Sequence, residues 1–185
     1  MSGAPPPAGV ALRPARPGDL PRCQEIAVAA WTPIYAHRRR LLGDSLFLKL
    51  QPQGLQRKAG EIARAFAAHP EWVVVATASP PPPGPVDGGG ADAPPVVAFV
   101  TYQLDPERGV GTIGNNAVDP AWQGRGIATA LYRHVLGVFR AAGMTVAAVT
   151  TGLDDAHAPA RAAYHRAGFA AATPSVTLYQ ELEPG

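Results

Sequence analysis

Twelve consecutive residues, Val118-Asp119-Pro120-Ala121-Trp122-Gln123-Gly124-Arg125-Gly126-Ile127-Ala128-Thr129, concentrate the chemistry of this 185-residue chain. Small residues at 124, 126 and 128 leave the backbone bare where an apolar helical stripe begins. The N–H groups of a first helical turn lack carbonyl partners, and the helix dipole adds positive charge, so such a turn favours a phosphate or pyrophosphate. Arg125 adds a cation. A ligand-free strand-to-helix turn can carry the same residues, so spacing has to separate the alternatives. A Walker loop requires Gly-Lys-Ser/Thr, which is absent. A dinucleotide fingerprint requires a third small residue and an acid about 20 positions on. Thr129 holds the first place, and the chain around Val146 is apolar. The remaining pattern, Gln/Arg-x-x-Gly-x-Gly/Ala, is matched by Gln123, Gly126 and Ala128.

A second segment, His157-Ala158-Pro159-Ala160-Arg161-Ala162-Ala163-Tyr164-His165-Arg166-Ala167-Gly168-Phe169, follows in the same order along the chain. Together the two segments resemble the GNAT superfamily of acyl-CoA-dependent N-acyltransferases. The first is similar to its pyrophosphate loop, with Val118-Asp119-Pro120 as the strand end before it. The second matches a later family motif at Ala160, Tyr164, Gly168 and Phe169, with His157 where many members have Asn. The resemblance covers about residues 10 to 182 and is sharp only in 117–129 and 157–169.

The resemblance implies acetyl-CoA as acyl donor and no metal. It implies a cofactor site made by Ala117, Val118, Gln123, Gly124, Arg125, Gly126, Ile127, Ala128 and Thr129, with His157 offering one hydrogen bond to the pantetheine arm. It also implies a sheet whose strands near Val118 and over 146–151 splay apart, leaving strand-edge groups for that arm and a backbone N–H near Val118 for the oxyanion. Tyr164 becomes the catalytic general acid for the CoA sulfur, since a phenol with an ordinary pKa of about 10 stays protonated at neutral pH. Trp31 and Tyr35 fall where the family places its acceptor wall, and Asn116 is expected at the substrate.

Other residues invite simpler readings. The segment Thr112-Ile113-Gly114-Asn115-Asn116-Ala117 offers no carboxylate as general base, and Asn115 and Asn116 can orient water but not hold a proton. Glu107 and Asp119 read as turn residues, and no base is assigned. His157 just before Pro159 also suits a helix cap. Asp154, Asp155 and His157 lack the further ligand pair a metal needs. The run Arg38-Arg39-Arg40 reads as a solvated face. Cys23 reads as a small buried hydrophobe.

These residues require a scaffold. Val10 to Arg13 suits a first strand, and Asp19 an N-cap. Behind it Leu20, Cys23, Ala27, Ala30 and Trp31 form one helical face, closed by Thr32-Pro33. Leu42, Leu46 and Leu50 mark a second helix, and Leu55, Ala59, Ile62 and Phe66 a third. Trp72 to Ala76 is apolar without alternation, the mark of a strand covered on both faces. Val96 to Leu104 and Val110 to Val118 should pair antiparallel. Between the first two of these strands, Ser79 to Pro95 holds seven Pro and four Gly in 17 residues and predicts a flexible loop. Ile127, Leu131, Val135, Val138 and Ala142 predict the longest regular stripe. Met144 to Thr151 predicts a buried strand, Pro159 to Ala167 a short helix, and the alternation of Val176, Leu178, Gln180 and Leu182 an exposed-face strand over 174–182. The expected fold is α/β: residues 1–9 a disordered tail, residues 10–185 a single GNAT-like domain whose mixed sheet has a splayed central strand pair flanked by helices.

Composition narrows the class. Hydrophobic residues at 46% and charged residues at 16% suit a packed domain and exclude a wholly disordered chain. The net charge is +2, and 14 of the 16 cations are Arg, dispersed apart from the one run, so no nucleic-acid stripe forms. One cysteine gives no internal disulfide, and no apolar run reaches a membrane span. The N-terminus lacks the order of a signal peptide, so the expected location is the cytoplasm. The reading is an N-acetyltransferase acting on a small-molecule or peptide amine by direct transfer, with no nucleic-acid or membrane partner and a possible homodimer. Its rivals are a non-catalytic acyl-CoA-binding module and an unrelated nucleotide-binding α/β protein.

Overall fold

The computed structural model describes residues 5–78 and 94–182. Five strands, β1 (Val10–Pro14), β2 (Val73–Ala78), β3 (Val96–Asp105), β4 (Val110–Val118) and β5 (Val146–Val149), form one sheet in the order β1-β2-β3-β4-β5. Neighbours from β1 to β4 are antiparallel, and β4 pairs with β5 in parallel. A parallel pair needs a crossover, here the long helix α4 (Ile127–Ala141). Helices α1 (Leu20–Leu42), α2 (Asp44–Leu50) and α3 (Leu55–Ala68) precede β2, and α5 (Ala158–Ala167) follows β5.

The sheet divides two cores. On one face Ile127, Leu131, Tyr132, Val135 and Phe139 of α4, with Ala163 and Tyr164 of α5, pack on Val74, Val97, Val100 and Ile113. On the other, Cys23, Ile26 and Ala27 of α1 and Ile62 and Phe66 of α3 cover Val73, Val75, Phe99 and Ala117. All six residues of β2 are buried, as its unbroken apolar run requires. Each fully buried Leu, Val or Phe contributes about 1.5–3 kcal/mol, so these two layers fix where β4 lies.

One irregularity in β4 matters most. Val100 of β3 faces Asn116 and Tyr102 faces Ile113, so Gly114 and Asn115 share the single partner Thr101. Such a bulge bends the strand and ends regular pairing. A Cβ at Gly114 would meet Thr101 Oγ1 at 2.6 Å, which explains the glycine. Pairing with β5 stops at the same place: only Val110–Ile113 face Val146–Val149. Beyond the bulge β4 runs on to Val118 with no paired strand on that side among the described residues, leaving a gap.

Several sequence expectations need correction. Thr32-Pro33 does not end α1, which continues to Leu42 with Pro33 inside. Proline removes one helical N–H, that to Ala29 O, while Thr32 Oγ1 donates to Val28 O at 2.7 Å. Asp19 is not a side-chain cap of α1. Its carboxylate accepts from Arg16 N at 2.7 Å and from both Arg13 Nη atoms at 2.7 and 2.9 Å. Burial pushes the Asp19 pKa up, but these donors outweigh it and hold it below the ordinary value. Trp72 precedes its strand, stacked on His69 at 3.8 Å. β5 is shorter than 144–151 and only half-buried, because it is the sheet edge. No strand forms over 174–182, where Val176, Leu178 and Leu182 are more than four-fifths exposed. Alternation says which face a strand would bury but supplies no partner edge; the segment is tied instead to α2 through Glu181, which accepts from Lys49 Nζ at 3.0 Å. Of the predicted loop at 79–95, residues 79–93 lie outside the described residues, as do 1–4 of the predicted tail. Gly9 turns the chain into β1, with Val10 N donating to Pro7 O at 3.0 Å.

Candidate functional site

The gap beside β4 opens directly into the loop that leads to α4. Asp119 N donates to Val97 O of β3 at 2.8 Å. Backbone groups alternate in direction along a strand, so the N–H and C=O of Val118 face the opposite way, into the gap. Gln123 Nε2 donates to that Val118 carbonyl at 3.1 Å, tying the loop to the strand end. Asp119 shapes the turn: its Oδ1 accepts from Ala121 N at 2.8 Å and its Oδ2 from Arg22. Gly124 and Gly126 have φ of +77° and +80°, a region that other residues enter at a cost of about 1–2 kcal/mol.

The loop delivers the chain to α4 with its first N–H groups free. The first helical bond is Ala130 N to Gly126 O, which leaves the N–H groups of Ile127, Ala128 and Thr129 without a carbonyl in the helix. The Thr129 hydroxyl is also buried there without a partner. Arg125 is exposed, stacked 4.5 Å over the Trp122 ring. Bare amides, an orphaned hydroxyl and a nearby cation together make an anion cradle.

On the α4/α5 side of β4, Asn116 joins two tyrosines. Tyr132 Oη donates to Asn116 Oδ1 at 2.7 Å, and Asn116 Nδ2 donates to Tyr164 Oη at 3.0 Å and to Gly114 O at 3.0 Å. The two rings stack at 4.5 Å, and Phe169 meets Tyr164 edge-on at 5.9 Å. Burial raises the pKa of both phenols, so both stay protonated at neutral pH; the hydrogen bond from Asn116 and the nearby Tyr132 hydroxyl temper the rise at Tyr164. Tyr164 Oη accepts from Asn116, and among the described residues no hydrogen-bond acceptor takes its own proton.

His157 ends the short turn before α5. Its Nδ1 lies 2.9 and 2.8 Å from the Asp154 carboxylate oxygens, and its N–H donates to Asp154 Oδ1 at 3.2 Å. Asp154, not His157, caps this turn. Burial raises the Asp154 pKa, but the His157 contacts outweigh it and leave it lowered. An ionised carboxylate only accepts, so the Nδ1 that faces it carries a proton.

The α1/α3 side of β4 is charged. Lys58 Nζ donates to Asn115 Oδ1 at 3.0 Å and to Glu61 Oε2 at 2.5 Å, and lies 4.7 Å from the centre of the Trp31 ring. Trp31 is thus brought to the bulge, whereas Tyr35 is buried edge-on against Phe47 of α2. Arg39 of the basic run pairs with Asp44 at 2.6 Å. Cys23 is fully buried, and burial pushes its thiol up to about 12, which removes it as a nucleophile. Sequence spacing missed Tyr132, Lys58 and Glu61, and it considered Asp154 only as a metal ligand, not as the partner of His157. A lysine in a chain with 14 Arg and two Lys was the one available signal for Lys58.

The fold and the loop define the class of protein. The Acetyltransferase (GNAT) family pattern matches residues 67–169, more than half of the chain, and the chain belongs to that family. Solved structures share the fold. A GNAT family acetyltransferase from Brucella melitensis, in complex with acetyl-CoA, is 24% identical with a TM-score of 0.53, over 88% of this chain and 83% of that one. The ribosomal-protein-S18-alanine N-acetyltransferase of Escherichia coli is 19% identical with a TM-score of 0.58, over 89% and 79%. PaiA N-acetyltransferase from Thermoplasma acidophilum, in complex with coenzyme A, is 12% identical with a TM-score of 0.59, over 90% and 92%. No curated protein matches the chain. Among the described residues no helix is long and apolar enough to cross a membrane.

Proposed function

We propose that the chain is an N-acetyltransferase that passes an acetyl group from acetyl-CoA directly to a primary amine within a ternary complex. The observation that carries this reading is the continuity of the unpaired end of β4 with the bare first turn of α4. A strand edge suited to an amide-bearing arm runs straight into a cradle suited to its pyrophosphate. Acetyl-CoA supplies an activated thioester.

The residues then divide the work. The N–H groups from Gln123 to Thr129, with Arg125, hold the phosphates; the orphaned Thr129 hydroxyl fits the same role. His157 Nε2 accepts from an arm amide, with Asp154 fixing its tautomer. The Ala117–Val118 backbone holds the arm, and the Val118 N–H faces the gap, where it can stabilise an oxyanion. Tyr164 gives its uncommitted proton to the leaving sulfur, and Asn116 positions that hydroxyl. Trp31 lines the acceptor side, while Tyr35, packed on Phe47, supports α1 from behind. Reaction in the cytoplasm fits a chain with one buried cysteine.

Thermal unfolding of the apo protein with acetyl-CoA, CoA and ATP tests the donor site. At about 100 times its dissociation constant a ligand adds roughly 2.7 kcal/mol. The expected result is a rise with acetyl-CoA and CoA but not ATP, followed by thiol release with a panel of primary amines. A rise with ATP alone would sink the reading. Tight CoA binding with no thiol release for any amine would favour a non-catalytic acyl-CoA module, a reading motivated by the lack of a carboxylate in the segment Gly114-Asn115-Asn116-Ala117.

A further inference from the structure

The charged cluster on the α1/α3 side of β4 has no task in the reaction above. The Lys58 side chain is 12% exposed, an uncommon position for a group whose head ordinarily stays in water. Its ammonium has three N–H donors; Glu61 and Asn115 take two, and the Trp31 ring covers one side. Asn115 is the bulge residue, and its neighbour Asn116 meets the Tyr164 hydroxyl from the other face. Lys58 Nζ and Tyr164 Oη therefore flank the same two-residue step of β4, one from each side of the sheet. That step borders the gap.

We propose that Lys58 is itself an acyl acceptor, so that the chain acetylates its own Lys58 Nζ at the β4 bulge. This rests on the acetyl-CoA reading of the gap. The Glu61 carboxylate takes one proton from the ammonium and passes it to water. The freed lone pair attacks the thioester carbonyl carbon, a C–N bond forms as the C–S bond breaks, the new amide nitrogen loses its second proton to solvent, and Tyr164 protonates the sulfur before regaining a proton from solvent. In sum, acetyl-CoA and a lysine ammonium give an acetyl-lysine amide, CoA thiol and one released proton. The product is neutral, so Glu61 loses its Lys58 partner, keeps Arg57 at 3.5 Å, and has one oxygen open to another ammonium.

The chain has only two lysines, Lys49 and Lys58, so intact mass and peptide mapping after incubation with acetyl-CoA read the outcome directly. The expected result is one acetyl group, on Lys58, with one thiol released per chain. Held next to the thioester, Lys58 should react at least about tenfold faster than exposed Lys49 or than either lysine in the urea-unfolded chain. Lys49→Arg should leave the modification intact, Lys58→Arg should abolish it, and Glu61→Gln should shift its rate to higher pH. An unmodified Lys58 in a chain that acetyl-CoA stabilises would overturn the inference while leaving the donor site standing. Equal labelling of both lysines, folded or unfolded, would overturn it as mere chemical acylation. Absence of any acetyl-CoA stabilisation would remove the donor site and the inference together.

Discussion

The two sides of β4 differ in chemistry although they are one residue apart in sequence. Toward α4 and α5, Asn116 sits in a neutral network of amide and phenols. Toward α1 and α3, Asn115 sits among charges, with Lys58 and Glu61. Strand alternation sends adjacent side chains to opposite faces, and the bulge brings both beside the same gap. The lesson is a division of labour. A neutral, buried phenol suits protonation of a leaving thiolate, and a charged, partly open face suits an ammonium.

Removing packing on the neutral side should have the largest effect. Phe139 lies against Gly111 and meets Tyr102 at 5.7 Å. Phe139→Ala should cost about 3–5 kcal/mol in urea unfolding. A loss under about 1 kcal/mol would mean that α4 does not hold β4 in place.

The division itself is tested by Tyr164→Phe, which keeps the ring and removes the proton. Turnover with a primary amine should fall by about 100-fold, the lower range for general acid catalysis, while the acetyl-CoA thermal shift persists. Unchanged turnover would transfer the proton donation elsewhere and dissolve the contrast between the two sides. A smaller loss is expected at the loop, where Gly126→Ala forces a side chain into a φ of +80°. It should cost about 1–2 kcal/mol of stability and weaken the response to CoA.

Legibility in the sequence follows the same geography. The loop from Gln123 to Thr129 and the Tyr164-to-Phe169 segment were readable because their chemistry is local: glycines at fixed offsets and a helix start. The stripe of α4 and the buried run of β2 were readable because one periodicity sufficed. Lys58, Glu61 and Tyr132 were not, because their meaning comes from contacts across the fold; Lys58 and Asn115 are 57 positions apart. Pro33 misled because the breaker rule is local, while α1 is held by packing on α3. The segment at 174–182 misled for the opposite reason: its pattern is right for a strand, but a strand exists only with a neighbour.

The charged side also predicts a pH effect confined to α1. Asp19 is paired with Arg13 and its folded pKa lies below the ordinary carboxyl value of about 3.9. A lowered folded pKa means that the contribution is present in full above the unfolded value and is lost as pH falls through the folded one. Stability of the wild-type chain should therefore drop in acid below about pH 4, and Asp19→Asn should flatten that limb while lowering stability at neutral pH. An acid limb that is identical in the two proteins would show that the Arg13 pair does not anchor the start of α1.

The smallest effect is expected where neither side of β4 is involved. Leu178 is 86% exposed, so Leu178→Ser removes almost no buried area. Surface changes of this kind stay within about 0.5 kcal/mol, and the unfolding midpoint should not move. A clear destabilisation would mean that Leu178 is covered in solution, and the first place to look is the edge of β5, whose Val146 is 54% exposed. Unpaired edges recruit strands, so sedimentation of wild type and variant would then tell whether the cover comes from the same chain or a second copy. In either case the gap beside β4 would gain a new neighbour on its far side, and the contrast between a neutral and a charged wall would have to include it.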